Sequence, residues 1–212
     1  MTDHGEAGAE LVALPAVMTA GIPPAPAAEL DPYLDAAAKV FARHGITRGS
    51  VQDIARHLGM SRATVYRQVG PVDTIVRLLL AREIRRALSQ LPAPPSTGSG
   101  PAYVVELVTT LVIFAREHPV AAKVLRDEAE LIGPFLVTDM PDLVARVSDT
   151  LRPLLAAAMS TGLIAHRDPA VLAEWLTRIG LSLLIAPPAA GLRQFLTAVL
   201  EPTLAPHDVR PS

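Results

Sequence analysis

Residues 61–69 place several hydrogen-bonding side chains on one short segment. The sequence Ser-Arg-Ala-Thr-Val-Tyr-Arg-Gln-Val follows shortly after Gly59. A helix beginning at Arg62 would turn its two valines inward and leave Arg62, Tyr66 and Arg67 at the surface. Arginine can make paired hydrogen bonds to guanine, and hydroxyl groups suit phosphate oxygens. The segment therefore has the chemistry of a helix that reads the major groove of DNA.

Short helices with clear start and stop signals would hold this segment in place. Ser50 and Ser61 are typical N-cap residues, and Gly59 is suited to the turn between the helices that they begin. Gly70-Pro71 then separates the segment from a longer helix. Two helices joined by a glycine-containing turn over 50–69 form a helix-turn-helix, although such corners occur in many proteins. The apolar spacing predicts helices over 33–44, 50–58, 62–69 and about 72–91.

Charge is divided unevenly along the chain. The 212 residues carry a formal net charge of −2. Residues 33–86 contain ten basic and four acidic side chains, whereas residues 1–32 and 87–212 are net acidic. A basic block between acidic flanks fits a nucleic-acid-binding module joined to a unit that does not bind nucleic acid. On charge alone, an arginine-rich solvated face explains the block equally well.

The remaining sequence predicts further helices and no strands. The chain is 50% hydrophobic, which allows a sizeable core. The fold class is all-α, with a three-helix head and its connecting fourth helix (residues 30–91, the head) followed by a larger helical unit (residues 102–203, the body). We predict a disordered Ala/Pro-rich arm over 1–29, a linker over 92–101 and a flexible tail over 204–212. Body helices are predicted over 102–117, 119–133, 140–161, 168–186 and 189–201.

Composition excludes several function classes. The chain has no cysteine, so disulfides, thiolate zinc sites, iron–sulfur clusters and cysteine nucleophiles are excluded. No arrangement of Ser, His and acidic residues indicates catalysis, and none has metal-ligand spacing. We expect no cofactor, no metal and no enzymatic activity. Residues 11–28 are uncharged, but the acidic start and several prolines oppose a signal peptide. We expect a cytoplasmic protein without a membrane span.

The head also resembles the N-terminal domain of tetracycline-repressor (TetR) type regulators. The resemblance covers residues 33–80, whose sequence is YLDAAAKVFARHGITRGSVQDIARHLGMSRATVYRQVGPVDTIVRLLL. Its elements are a first helix with the pattern LDAA-x-x-x-F-A-x-x-G, a second with [ST]-V-x-D-I-A, and a third with L-G-[MV]-S-[RK]-[AG]-T-[VL]-Y-R. The rest of the chain is similar to the family only in layout.

The resemblance implies a set of DNA-contacting residues. Arg62, Ala63 and Thr64 would face bases and Arg67 would face the groove, with Gln52 at a position from which some relatives also reach a base. Four further residues would lie at the phosphate backbone: Ser50, Ser61, Tyr66 and Gln68. Val72 departs from the family, which usually has a phosphate-binding lysine near this position. That departure puts one backbone contact per subunit in doubt.

Two apolar stripes near the end of the chain predict a dimer interface. A helix-turn-helix monomer reads few base pairs, and dimers on two-fold half-sites are the usual solution. Two copies of the last two helices would form a four-helix bundle, as in the resembled family. An intramolecular core is the alternative. The predicted interface residues are Leu172, Trp175, Leu176, Ile179, Leu183, Phe195, Leu196 and Val199.

The other body helices would enclose a small-molecule site. Their inward residues are apolar, so we expect an apolar effector, with the candidate pocket residues Val108, Leu111, Val112 and Leu125. These features together predict a homodimeric regulator that binds a palindromic double-stranded operator as a repressor and is released by a small ligand. Two alternatives are an all-α interaction protein whose helix-turn-helix does not bind DNA, and a small helical enzyme with a fortuitous corner.

Overall fold

The computed structural model describes residues 24–93, 95 and 99–206, and this part of the chain is helical without a strand. The all-α fold class is confirmed. None of its helices is both long and apolar enough to cross a membrane. The α-helices of the described residues are α1 Asp31–His44, α2 Val51–Leu58, α3 Arg62–Val69, α4 Val72–Ser89, α5 Gly100–Glu117, α6 Pro119–Asp127, α7 Ile132–Thr138, α8 Met140–Ser160, α9 Pro169–Ile185 and α10 Leu192–Leu204.

The head contains α1–α4 around its own apolar core. Phe41 of α1, Ile54 of α2 and Val65 of α3 are fully buried there, together with Ile75 of α4. Gly59 ends α2 with φ +66°, a left-handed conformation that favours glycine, and so allows the sharp turn into α3. The head core therefore fixes α3 against α2 through its inward-facing valines.

A second core lies within the body. Leu107 of α5, Leu155 of α8, Leu176 of α9 and Leu200 of α10 are all buried in it. A smaller cluster joins α4 to α8 through Ile84 and Leu143. The long helix α4 is therefore shared, since its first half completes the head and its second half packs on the body.

The predicted continuous helix over 119–133 is wrong. α6 ends at Asp127, and Glu128 leaves the helical conformation with φ −135° and ψ +45°. A 3-10 turn over Ala129–Leu131 follows, and a separate helix, α7, begins at Ile132. The interruption turns the Glu128 side chain toward the head, a contact between distant parts of the chain that helical periodicity does not encode.

The predicted boundaries of the linker, arm and tail also shift. Ser99 accepts a hydrogen bond from the Ala102 amide and starts α5 at Gly100, inside the predicted linker. Leu204, assigned to the tail, is the buried last residue of α10, so the body runs over 100–204. The predicted arm lies largely outside the described residues, but its end is ordered, since Ala28–Leu30 form a 3-10 helix.

Candidate nucleic-acid interface

Side-chain caps fix the starts of both helices of the helix-turn-helix. The Ser50 hydroxyl accepts a hydrogen bond from the Asp53 amide at 3.2 Å, and the Ser61 hydroxyl accepts one from the Thr64 amide at 3.1 Å. Each cap satisfies an amide that would otherwise lack a helical partner, a contribution of about 1 kcal/mol. The predicted starts of α2 and α3 are therefore set by local sequence.

The outward face of α3 carries the predicted contact residues. Arg62, Ala63, Arg67 and Gln68 are exposed, and Tyr66 is 52% exposed despite its large ring. Val65 and Val69, on the opposite face, are buried in the head core. The helix therefore presents two guanidinium groups, a phenol and an amide on one free surface.

Three predicted contact residues, Ser50, Ser61 and Thr64, have less freedom because their hydroxyls are hydrogen-bonded within the head. The Ser50 hydroxyl donates to the Asp53 carboxylate as well as capping α2. Thr64 is only half-exposed, and its hydroxyl lies 2.8 Å from that of Ser61. Gln52, by contrast, is exposed and has no side-chain hydrogen bond in the part of the head that the structure describes. Its amide is open to a partner, whereas the hydroxyls of Ser50 and Thr64 already have protein partners.

The cations of the head fall into two groups. Among the described residues, the side chains of Lys39, Arg43, Arg48, Arg62 and Arg67 have neither an ion pair nor a hydrogen bond. In the second half of α4, by contrast, Arg82 and Arg86 pair with acidic side chains. Arg56 of α2 is an exception within the helix-turn-helix, since it pairs with Asp53 at 2.7 Å. The free cations still leave net positive charge around α3, which favours an anionic partner there.

Val72, where the resembled family usually has lysine, is half-buried at the first position of α4. It packs against the head core together with Val76. The position therefore serves packing in this chain.

Exposed apolar side chains lie on both α9 and α10, and together they are called the apolar strip. On α9, Trp175 is 42% exposed and Leu172 and Ile179 are half-exposed; on α10, Phe195 is 39% and Val199 41% exposed. Three predicted interface residues are instead buried in the protomer core, which is a correction: Leu176, Leu183 and Leu196. Sequence reasoning missed Val171 and Ile185, which are 64% and 42% exposed at the two ends of α9.

The predicted pocket residues do not converge on one site. Val108 and Val112 are buried where α5 meets α9, opposite Gly180 of α9. Leu111 packs at the edge of the same core, whereas Leu125 lies half-exposed on α6. On α5, Thr109 is 2% exposed and its hydroxyl is one of the buried polar atoms without a hydrogen-bond partner among the described residues.

Glu128 is a residue that sequence analysis missed. It is 5% exposed, and its carboxylate accepts hydrogen bonds from the amides of Ile46 at 2.7 Å and Thr47 at 2.9 Å. Burial by itself would raise the pKa of this carboxyl, but the hydrogen bonds from Thr47 and Ile46 outweigh it and the pKa is lowered. The ionised carboxylate of the body thus holds the turn that precedes α2.

Comparison with known proteins supports the assignment of the head. Residues 34–68 match the family model described as bacterial regulatory proteins, tetR family. Two Mycobacterium tuberculosis proteins, each described as an uncharacterized HTH-type transcriptional regulator, are 26% identical over 189 residues. The alignment covers 82% of this chain and 87% of each relative.

Solved structures share the whole architecture. A TetR-family transcriptional regulator from Pectobacterium atrosepticum superposes with a TM-score of 0.64 at 19% identity, covering 87% of this chain and 96% of that one. A tetR-family regulatory protein from Rhodococcus RHA1 gives a TM-score of 0.56 at 18% identity, covering 86% of this chain and 100% of that one. At these identities the likeness concerns the fold.

A helix-turn-helix head on an all-helical body, with free cations around the exposed helix, defines a DNA-binding transcriptional regulator. The match of residues 34–68 to the tetR family model and the similarity to HTH-type regulators indicate the type of regulator. The head of this chain carries the helix-turn-helix of the tetR family of bacterial regulatory proteins, matched over residues 34–68.

Proposed function

We propose that the protein is a homodimeric repressor whose two heads bind the half-sites of a palindromic operator. The observation that carries the proposal is the free polar face of α3, on which Arg62 and Arg67 have no partner within the described residues. In the proposed complex α3 lies in the major groove. Arg62 and Arg67 donate to base edges there, and Tyr66 donates to a phosphate.

The other predicted contacts fit the same arrangement. Gln52 reaches a base from α2, and Ala63 and the Thr64 methyl contact thymine methyl groups. Ser50, Ser61 and Gln68 lie at the backbone. Because the hydroxyls of Ser50 and Thr64 are engaged within the head, we propose that Ser50 meets phosphate through the amides at the start of α2 rather than through its hydroxyl alone.

The dimer is proposed to form through the apolar strip on α9 and α10. Exposed Trp175, Phe195 and Val199 on one protomer would meet their copies across a two-fold axis, with Val171 and Ile185 extending the contact. Burial of large apolar side chains at such a seam is the principal gain on association. Compared with the interface that the sequence predicts, the proposed interface lacks the buried residues Leu176, Leu183 and Leu196 and gains the exposed residues Val171 and Ile185.

The effector is proposed to be a small, largely apolar molecule that enters between α5 and α9. Val108 and Val112 line this contact, and the unpartnered hydroxyl of Thr109 on α5 offers one hydrogen bond to the ligand. Entry must part the two helices, since Val108 and Val112 are buried between them. Binding would favour a body conformation that spaces the two α3 helices wrongly, so ligand and operator weaken each other reciprocally, by ~1–3 kcal/mol.

The test is fluorescence anisotropy with DNA from upstream of the protein's own gene and with scrambled DNA, each at two salt concentrations. We expect tighter binding to the native fragment, with log affinity falling by roughly 0.9 per phosphate contact and log unit of salt. The double variant Arg62→Ala, Tyr66→Ala should lose this binding while keeping its helical content and mass. If a genome-wide binding selection also recovers no DNA, the helix-turn-helix is an interaction module and the repressor proposal is wrong.

A further inference from the structure

One contact between the body and the head lies at the turn of residues 45–49, between α1 and α2. The two carboxylate oxygens of Glu128 are divided between two amides there: Oε2 accepts from Ile46 and Oε1 from Thr47. The partners are 82 and 81 residues apart in sequence. Hydrogen bonds to an ionised acceptor are stronger than neutral ones, and both are sheltered because Glu128 is 5% exposed.

The turn is shaped to receive this carboxylate. Gly45 has φ +85°, and a Cβ atom built on it would lie 2.5 Å from Oε1 and 2.8 Å from Oε2 of Glu128. A side chain at residue 45 would therefore both strain the backbone and displace the carboxylate. The contact therefore needs glycine at position 45 as well as the carboxylate of Glu128.

A second contact with the head lies in α6, the helix that ends just before Glu128. Val120, in the first turn of α6, is 7% exposed and packs in the head core beside residues of α1. Glu128 directly follows Asp127, the last residue of α6. The head is thus held by an apolar contact at the start of α6 and by a charged contact just after its end, and two separated contacts restrict rotation more than one would.

We propose that Glu128 is a positioning residue that holds the head at one angle to the body, and thereby sets the half-site spacing that the dimer accepts. The second clause rests on the proposed function, since it needs two heads on one operator. Few structural elements separate Glu128 from α3. The held turn leads directly into α2, α2 packs on α3, and in a two-fold dimer any tilt of the head changes the separation of the two α3 helices.

The matched variants are Glu128→Gln and Glu130→Gln. Glutamine at 128 keeps the shape of the side chain but replaces one acceptor oxygen with an NH₂ group that faces an N–H donor, so one hydrogen bond is lost. Glu130 is exposed, two residues further on, and its substitution removes the same charge without touching the head. Circular dichroism first establishes that both variants are folded.

The first arm measures the head–body distance and needs neither DNA nor a dimer. Because the chain has no cysteine, Lys39→Cys on α1 and Ala157→Cys on α8, both exposed sites, can be spin-labelled selectively. Doubly labelled chain is mixed with excess unlabelled chain, and the distance distribution is measured by pulsed electron resonance. We expect one narrow distribution for the parent and for Glu130→Gln, and a broadened or shifted one for Glu128→Gln. An unchanged distribution in Glu128→Gln overturns the positioning role.

The second arm selects operators from a library in which the half-site spacing varies by one or two base pairs. The parent and Glu130→Gln should prefer one spacing, whereas Glu128→Gln should accept several and bind the preferred one about tenfold more weakly, because only a fraction of its heads is correctly placed. A broadened distance with an unchanged spacing preference overturns the spacing clause. If the parent selects no DNA, the proposed function fails, and the first arm still decides the positioning role.

Discussion

Arg82 of α4 lies 2.8 Å from Asp35 of α1 although its own side chain is only 1% exposed. The same guanidinium pairs with Glu83 at 2.8 Å and with Asp31 at 3.4 Å. A buried cation is tolerated only where acceptors surround it, so this cluster fixes the start of α1 on α4.

Arg82→Ala should destabilise the fold by about 2–4 kcal/mol, because it opens a cavity at a 1% exposed site and removes the ion pairs to Asp35 and Glu83, of which Glu83 keeps only Arg86 as an arginine partner. Urea unfolding measures the difference. The control is Arg85→Ala, an exposed neighbour with one long hydrogen bond to the Pro26 carbonyl, which should change stability by at most about 0.5 kcal/mol. Equal effects of the two substitutions would contradict the role of the cluster.

Arg62→Ala should weaken operator binding by about 1–3 kcal/mol and relax discrimination at one base pair, because a paired contact to a base edge is lost. Anisotropy titrations with the operator and with single-base variants measure both effects. The matched control, Arg152→Ala, removes an arginine on α8 that pairs with Asp149, and it should leave DNA binding unchanged. A uniform loss across all sequences would instead place Arg62 on the phosphate backbone.

Trp175→Glu should convert the protein to a species with the mass of one 22.4 kDa chain, since it places a charge in the proposed seam. The protomer should keep its stability because the side chain is 42% exposed. Val137→Glu is the control, an equally drastic change at a 79% exposed position on α7. Analytical ultracentrifugation decides the matter, and a dimer that survives Trp175→Glu rules out this seam.

Gly100 and Gly133 should respond to alanine with opposite signs. A Cβ atom on Gly100 would clash with the Leu163 carbonyl oxygen, so Gly100→Ala must shift backbone and should cost about 1–3 kcal/mol. Gly133, in α7, has open space around it, and alanine there should stabilise the fold by about 0.4–1 kcal/mol. Thermal melts of the two variants provide the comparison, which fails if both move in the same direction.

The contribution of Glu128 to stability should depend on pH. The pKa of its carboxyl is lowered in the fold, so the unfolded chain binds a proton there more readily than the folded one. The stabilisation is therefore present above the ordinary value of 4.5 and is lost as the pH falls through the lowered pKa. The difference in unfolding free energy between the parent and Glu128→Gln should shrink as urea titrations move from pH 7 to pH 4. A constant difference would contradict the ionised hydrogen bonds.

The helix-turn-helix could be predicted because its determinants are local. Ser50, Gly59 and Ser61 lie within a dozen residues and set two caps and one turn. The break at Glu128 could not be predicted in the same way, because its cause is a pair of amides more than eighty residues away. The one local signal near this break is Gly133-Pro134, a pair that favours the start of a new helix over a continued helix.

The predicted dimer-interface residues show a second limit of prediction from sequence. Leu176 and Trp175 are adjacent in α9, and both fall on a broad apolar stripe, yet one is buried in the protomer and the other is not. Helical periodicity identifies the stripe but does not divide it between an internal core and an external partner. That division depends on where α5, α8 and α10 pack, and so it follows only from the tertiary structure.

The separate core of the head has a consequence for synthesis on the ribosome. Its buried residues come from positions 34–79, with Val120 as the contribution from the body among the described residues. Such short-range contacts form rapidly, so the head can fold while the body is still being translated. Glu128 emerges ~50 residues later, a delay of seconds. A nascent chain therefore passes through a stage in which α3 is folded before Glu128, the residue proposed to position the head, has been synthesised.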